Sequence, residues 1–131
     1  MINYSHAYFL NQLKLGSSAR RFFFDAHVST AVKPLVRLLQ SLNVIRRFHL
    51  IDASTSTYRV FPAYSRYRKQ SRGISLYTRT SGRINLSYQA VRLLDRNSPH
   101  SHYVLETSVG ILSHKDAVKL RIGGSLLMIV H

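Results

Sequence analysis

Few residues able to do acid–base or metal chemistry in this sequence stand at the spacings such chemistry needs. His100 and His102 would project from one face of an extended segment, but two ligands do not complete a tetrahedral site, and no His-Glu-x-x-His spacing occurs. His114 and Asp116 form the pair a small hydrolase would use. The five Asp and Glu are scattered, so two-carboxylate chemistry would need an encounter made by the fold. The absence of Cys excludes disulfides, thiolate metal sites and cysteine nucleophiles. Gly123-Gly124 precedes a strand, whereas a phosphate loop runs from a strand through a Lys-bearing glycine loop into a helix; a helix C-cap and tight turn fits better. These residues point away from catalysis and require no cofactor or metal.

The basic residues carry a stronger signal. Nineteen Lys and Arg face five acids, a formal net charge of +14, and fourteen of the nineteen are Arg. Such a chain repels itself when folded alone, which calls for a polyanionic partner. The planar guanidinium matches phosphate and stacks on bases, so structured nucleic acid is favoured over an anionic membrane. The stretch Tyr64-Ser65-Arg66-Tyr67-Arg68-Lys69-Gln70-Ser71-Arg72-Gly73 interleaves aromatics with cations and contains no acid. It has the composition of an RNA-contacting loop, or of a solvated linker between two halves. No apolar run approaches the length of a spanning helix, and Met1-Ile2-Asn3-Tyr4-Ser5-His6 lacks a signal peptide's basic head and apolar middle.

At 131 residues with 45% hydrophobic composition, the chain has the size and apolar content of one domain or two small subdomains. Apolar spacing predicts a helix from Ser5 to Leu15, with Ser5 as its cap and Gly16-Ser17-Ser18 as its break. Phe22-Phe23-Phe24 reads as a short buried strand. Leu35, Val36, Leu38, Leu39 and Leu42 define a second helix, capped by Ser29 or Thr30 with Pro34 in its first turn, and Lys33, Arg37 and Gln40 recur on its polar side. Ile45 to Ile51 and Thr57 to Tyr64 form a hairpin, with Pro62 at an edge or strand end.

Downstream, Ile74 to Tyr77 reads as a strand, Thr80-Ser81-Gly82 as a turn and Leu86 to Leu94 as a helix. His102 to Thr107 alternates as a strand, with Tyr103 and Leu105 on one face. Ser113 begins a short helix with Asp116 at its third position, and Leu126 to Val130 closes the chain as an apolar strand.

Glu106-Thr107-Ser108-Val109-Gly110-Ile111-Leu112-Ser113, then Ala117, then Arg121-Ile122-Gly123-Gly124-Ser125-Leu126 resemble the family of the eighth small-subunit ribosomal protein. That family's mark is a Ser-Thr-Ser-x-Gly-Ile-like run, a short helix with Ala, then Gly-Gly and a final apolar strand. Lys14, Val28-Ser29-Thr30, Lys33 and Leu42-Asn43-Val44-Ile45 agree more loosely, and Ser71-Arg72-Gly73 resembles the family's Ser-Arg/Lys-Pro-Gly turn without its Pro. The resemblance implies an α+β fold of two packed subdomains. One is a helix-strand-helix-hairpin unit over 1–65; the other is a mostly β rRNA-binding unit with short helices over 66–131.

It further implies a non-enzymatic constituent of the small ribosomal subunit that binds the central domain of its rRNA early in assembly and meets neighbouring ribosomal proteins. It implies no membrane, small-molecule substrate, metal or cofactor. Thr107 and Ser108 would address the shallow minor groove of A-form RNA, with Gly110 permitting close backbone approach. Ser29, Thr30, Lys33, Arg66, Arg68, Lys69, Ser71, Arg72, Lys115 and Arg121 complete the expected RNA-binding set, with further phosphate contacts from Arg37, Arg79 and Lys119.

Glu106 stands where the family has its first Ser. Facing RNA it would repel phosphate, whereas strand alternation would turn it toward Arg or Lys, the favoured reading. Ser75 replaces a frequent Arg. Richness in Arg, Tyr and Phe suggests a mitochondrial ribosome, with bacterial cytoplasm or plastid as alternatives. A free-standing basic RNA or DNA regulator is the main competing function, and a hydrolase using His114 and Asp116 a third.

Overall fold

The computed structural model describes residues 4–63, 74–77 and 84–131. The chain forms two compact units, Asn3–Gly73 and Ile74–His131, and the described residues build four helices and eight strands, an α+β fold. The expected boundary between 65 and 66 lies outside the described residues, as does the Thr80-Ser81-Gly82 turn.

In the first unit α1 (Tyr4–Ser18) precedes β1 (Phe24–His27), α2 (Lys33–Ser41), β2 (Ile45–Asp52) and β3 (Thr57–Pro62). The three strands pair antiparallel in the order β1-β3-β2. The predicted hairpin is β2–β3; Asp52 closes its turn by accepting from the Ser54 N–H at 3.0 Å and the Ser54 hydroxyl at 2.7 Å. Pro62 ends the central strand rather than lying on an edge, so its missing N–H removes no mid-ladder bond. Phe9, Leu10 and Leu13 of α1 and Leu35, Val36 and Leu39 of α2 are fully buried, each side chain contributing roughly 1.5–3 kcal/mol through removal from water. They cover the sheet face carrying Phe24, Ala26 and Val60.

Four readings change in this unit. The first helix does not break at Gly16. A Cβ there would meet the Phe24 ring at 2.9 Å, so this glycine admits a tight helix–strand contact. The helix ends later, at Ser18, and is closed by Arg20, which is left-handed with φ 52°. Arg21 N–H then reaches Gly16 O and Arg20 N–H reaches Ser17 O, the paired bonds of a Schellman motif. Ser5 lies inside this helix rather than capping it. The second helix has no side-chain cap: the Ser29 carbonyl, not a hydroxyl, accepts from Val32 and Lys33 N–H. Finally, only Phe24 of the Phe triplet enters the core, because β1 starts there; Phe22 and Phe23 precede the strand and are exposed.

The second unit contains β4 (Ile74–Leu76), β5 (Asn85–Leu86), α3 (Tyr88–Asn97), β6 (His102–Thr107), β7 (Gly110–Ser113), α4 (His114–Leu120) and β8 (Gly124–Val130). Its sheet runs β4-β8-β6-β7, and β5 also pairs with β8. Leu86 therefore belongs to a strand, not to the start of a helix: Ser87 caps α3 by accepting from the Ala90 N–H. Tyr103 and Leu105 share a core with Val91 of α3, Ala117 of α4 and Leu126 of β8. Among the described residues, no helix is long and apolar enough to cross a membrane.

Candidate nucleic-acid interface

Thr107, Ser108, Val109 and Gly110 form the tip of the β6–β7 hairpin, with Thr107 paired across from Gly110 and two residues between. Gly110 has φ 136°, backbone that L side chains rarely adopt, which is why glycine stands here. Nothing lies within 4 Å of the position its Cβ would take, so the strand is open to an approaching molecule on that side. The Thr107 hydroxyl donates to Gly110 O at 2.7 Å and accepts from the Val109 N–H at 3.3 Å. Its hydrogen is thus spent inside the turn, and Thr107 shapes the tip. Ser108 and Val109 are the exposed side chains there.

Behind the tip, β6 lies between β7 and β8, where Glu106 pairs with Ile111 and Ser125. Alternation puts Glu106 on the face of Val104 and Thr107 on the face of Leu105, so the carboxylate and the Thr hydroxyl leave opposite sides of the strand. Gly123 and Gly124 keep β8 tight against this hairpin. A Cβ on Gly124 would stand 2.6 Å from Glu106 O and 2.9 Å from Thr107 Cγ2, and one on Gly123 would collide with Leu86 O. Neither glycine has positive φ. The cap and turn predicted for them is therefore incorrect: crowding by neighbouring backbone explains them, and the helix is ended by Arg121.

The short helix α4 presents the nearby cations. Ser113 caps it by accepting from the Asp116 N–H, and its hydroxyl donates to Asp116 Oδ2 at 3.2 Å, as the Ser-x-x-Asp spacing predicts. Lys115 in the first turn, Lys119 and Arg121 are exposed. Arg121 is left-handed with φ 57°, where glycine is the low-energy choice. Arg121→Gly should raise stability by about 1 kcal/mol and lower RNA affinity together. A urea titration and an RNA titration of the same variant check the pair, and RNA affinity equal to the parent's would remove Arg121 from the interface.

His114 and Asp116 do not form a catalytic pair. His114 is fully buried, and its nearest carboxylate is Asp95, with Nε2 3.2 Å from Oδ1. Its Nδ1 accepts from the Tyr103 N–H at 3.2 Å. That bond assigns the neutral tautomer, with hydrogen on Nε2, which is near Asp95 but makes no well-aligned hydrogen bond among the described residues. The reason is local. Val104 pairs with Ser113, the last residue of β7, so on the β7 side Tyr103 has no strand partner, and there the His114 ring supplies the acceptor while β8 pairs on the other side. Burial pushes the His114 pKa below its ordinary 6.5; Asp95 opposes this and Lys115 adds to it.

In the first unit, Ser29, Thr30 and Lys33 gather at the start of α2. Thr30 is exposed, the Ser29 hydroxyl oxygen is buried with no hydrogen-bond partner among the described residues, and Lys33 Nζ lies 5.7 Å from the Tyr58 ring centroid. Arg37 is exposed on the same helix. Arg66, Arg68, Lys69, Ser71, Arg72 and Arg79 lie outside the described residues.

A group that the sequence reading missed lies on the face of the first sheet opposite its helices. Phe23, Arg47, His49, Arg59 and Phe61 meet there, with Phe22 beside them. Arg59 Cζ stands 4.3 Å from the Phe23 centroid and Arg47 Cζ 4.5 Å from that of Phe61, while Arg59 Nε donates to Asp25 Oδ1 at 3.0 Å. The available signal was Arg20-Arg21 directly before three Phe, since a cationic pair beside a run of rings is unlike a wholly buried strand.

No curated protein matches the chain. The family model described as ribosomal protein S8 matches residues 6–131.

Proposed function

The chain belongs to the ribosomal protein S8 family, and from that membership we propose that it binds the central domain of small-subunit rRNA early in assembly, through residues 66–131, in a mitochondrial ribosome. Membership itself makes the protein a structural, rRNA-binding component of the ribosome and not an enzyme. A free-standing regulator and a hydrolase are set aside on that ground.

The observation that carries the reading is the β6–β7 tip. Ser108 and the open side of Gly110 present a small hydroxyl and bare backbone, which fit the wide, shallow minor groove of A-form RNA, where 2′-hydroxyls and base edges are displayed. A longer side chain at either position would hold the RNA away. Lys115, Lys119 and Arg121 supply phosphate contacts whose strength falls with salt through counterion release. Ser29, Thr30, Lys33, Arg66, Arg68, Lys69, Ser71 and Arg72 complete the proposed contact set, and Thr107 acts by fixing the tip. The mitochondrial assignment is supported by richness in Arg, Tyr and Phe.

Crosslinking in isolated small subunits, with mapping of the RNA positions attached to Thr107, Ser108 and Arg72, tests the reading. Attachment within the central domain is the expected result, and attachment elsewhere would sink it. In vitro, Ser108→Ala should weaken binding to a central-domain fragment by about 1 kcal/mol, roughly fivefold, as one hydrogen bond is lost. Cell fractionation checks the compartment: co-sedimentation with mitochondrial small subunits supports it, and enrichment in another ribosome population would reject it.

A further inference from the structure

We propose that the solvent-facing side of the first sheet is a second RNA site, at which unpaired bases stack on Phe22 and Phe23 while neighbouring arginines hold the phosphates. The inference rests on the reading above in taking the polyanion to be small-subunit rRNA, but it names a different part of the chain and a different form of RNA.

The face is assembled by register. In β3, Arg59 and Phe61 point away from the core that Val60 enters; Arg59 pairs with Asp25 of β1 and His49 of β2, and Phe61 pairs with Arg47. Phe23, two residues before Asp25, shares this side. The rings contact one another at right angles or obliquely: Phe22 and Phe23 at 6.5 Å, Phe22 and Phe61 at 5.7 Å and 86°, Phe23 and Phe61 at 6.0 Å, and His49 and Phe61 at 5.6 Å. Phe61 thereby becomes 8% exposed, whereas Phe22 remains 72% and Phe23 41% exposed. These two rings contact their neighbours within the face without being covered.

Two exposed Phe side by side are unfavourable in water unless a partner covers them. The charge around them decides the partner's class. Arg47 and Arg59 lie in the patch, the exposed Arg20, Arg21 and Arg46 adjoin its residues in sequence, and the acid found there among the described residues is Asp25. A protein surface would have to be unusually acidic to match this excess, whereas RNA brings one phosphate per nucleotide. Aromatic rings on an open sheet face accept bases whose own faces are free, so the RNA at this site is unpaired. The Arg59 guanidinium covers one face of Phe23, which leaves a base the other face and the more exposed Phe22, and the Arg47 guanidinium over Phe61 stands beside them as a partner for phosphate.

The test uses the full chain with a fluorescent oligouridylate of about ten nucleotides, which cannot form the duplex required at the hairpin. Phe22→Ala with Phe23→Ala should weaken its binding by about tenfold or more, in keeping with the loss of base–aromatic stacking. Phe22→Tyr should retain affinity, and Phe22→Leu, which keeps apolar bulk without a ring, should not; circular dichroism confirms that each variant is folded.

Ser108→Ala serves as the separating control, lowering affinity for the central-domain fragment and leaving oligouridylate binding at the parent value. Oligouridylate affinity unchanged in the double variant overturns the proposal. So does a double variant whose RNA binding is intact but whose small subunits lack a neighbouring protein, which would make the patch a protein interface. Dependence of oligouridylate binding on Phe22 supports the platform even where crosslinks from Ser108 fall outside the central domain, a result that rejects only the minor-groove reading.

Discussion

Gly124→Ala should lower stability by about 3 kcal/mol and weaken RNA binding in the same step, a large fraction of the roughly 5–15 kcal/mol that holds a small domain folded. The added methyl would stand 2.6 Å from Glu106 O, a backbone atom that cannot swing aside as a side chain does. Relief requires β8 to part from β6, where Ser125 pairs with Glu106 and Leu126 with Leu105. Thr107 Cγ2, also in the way at 2.9 Å, would move with it and take the hairpin tip along. Gly110→Ala provides the contrast: its Cβ meets nothing, so only backbone strain of about 1–2 kcal/mol is expected. Urea midpoints for both variants check the order, and a Gly124→Ala midpoint equal to the parent's would show that the strands separate at no cost.

Replacing His114 should have the next largest effect, because one ring fills core space and ends a β ladder. His114→Ala is expected to lose about 3 kcal/mol, combining a cavity with a Tyr103 N–H left without its acceptor. The wild-type protein should also weaken in mild acid. The folded-state pKa of His114 lies below the ordinary 6.5, so below that value the unfolded chain binds more protons than the folded one. This contribution is fully present above 6.5 and declines as pH falls toward the folded pKa. The mechanism is specific: a proton on Nδ1 would confront the Tyr103 N–H that now donates to it.

His114→Asn keeps an acceptor near Nδ1 without titrating. Its stability should change less than the wild type's between about pH 7.5 and about pH 5, by chemical denaturation. An identical pH dependence in the two proteins would show that His114 is not the responsible group.

Much of the fold was readable because periodicity reports burial one element at a time. The 3.6-residue spacing of Leu35, Val36 and Leu39 marked α2, and the loop from Asp52 to Ser56 marked the β2–β3 hairpin. Cap chemistry is equally local, so Ser113 with Asp116 announced α4. The errors fell where a distant residue decides. Gly16 resembles a helix stop, but its reason is the Phe24 ring. Arg20 and Arg121 end helices in conformations that favour glycine, and residue type alone gives no sign of it.

The sequence by itself determined that the chain folds, that its partner is a polyanion and which family it resembles, since charge, composition and a short motif are properties of neighbours along the chain. Only the tertiary structure decided what individual residues do. Pairing across β6 and β7 spent the Thr107 hydroxyl inside the turn and left Ser108 exposed; close approach of neighbouring backbone required glycine at 123 and 124; and the start of β1 at Phe24 divided the Phe triplet between a core and an open cationic face. Those roles depend on atoms brought within a few ångströms from distant positions, a relation that a linear pattern does not contain.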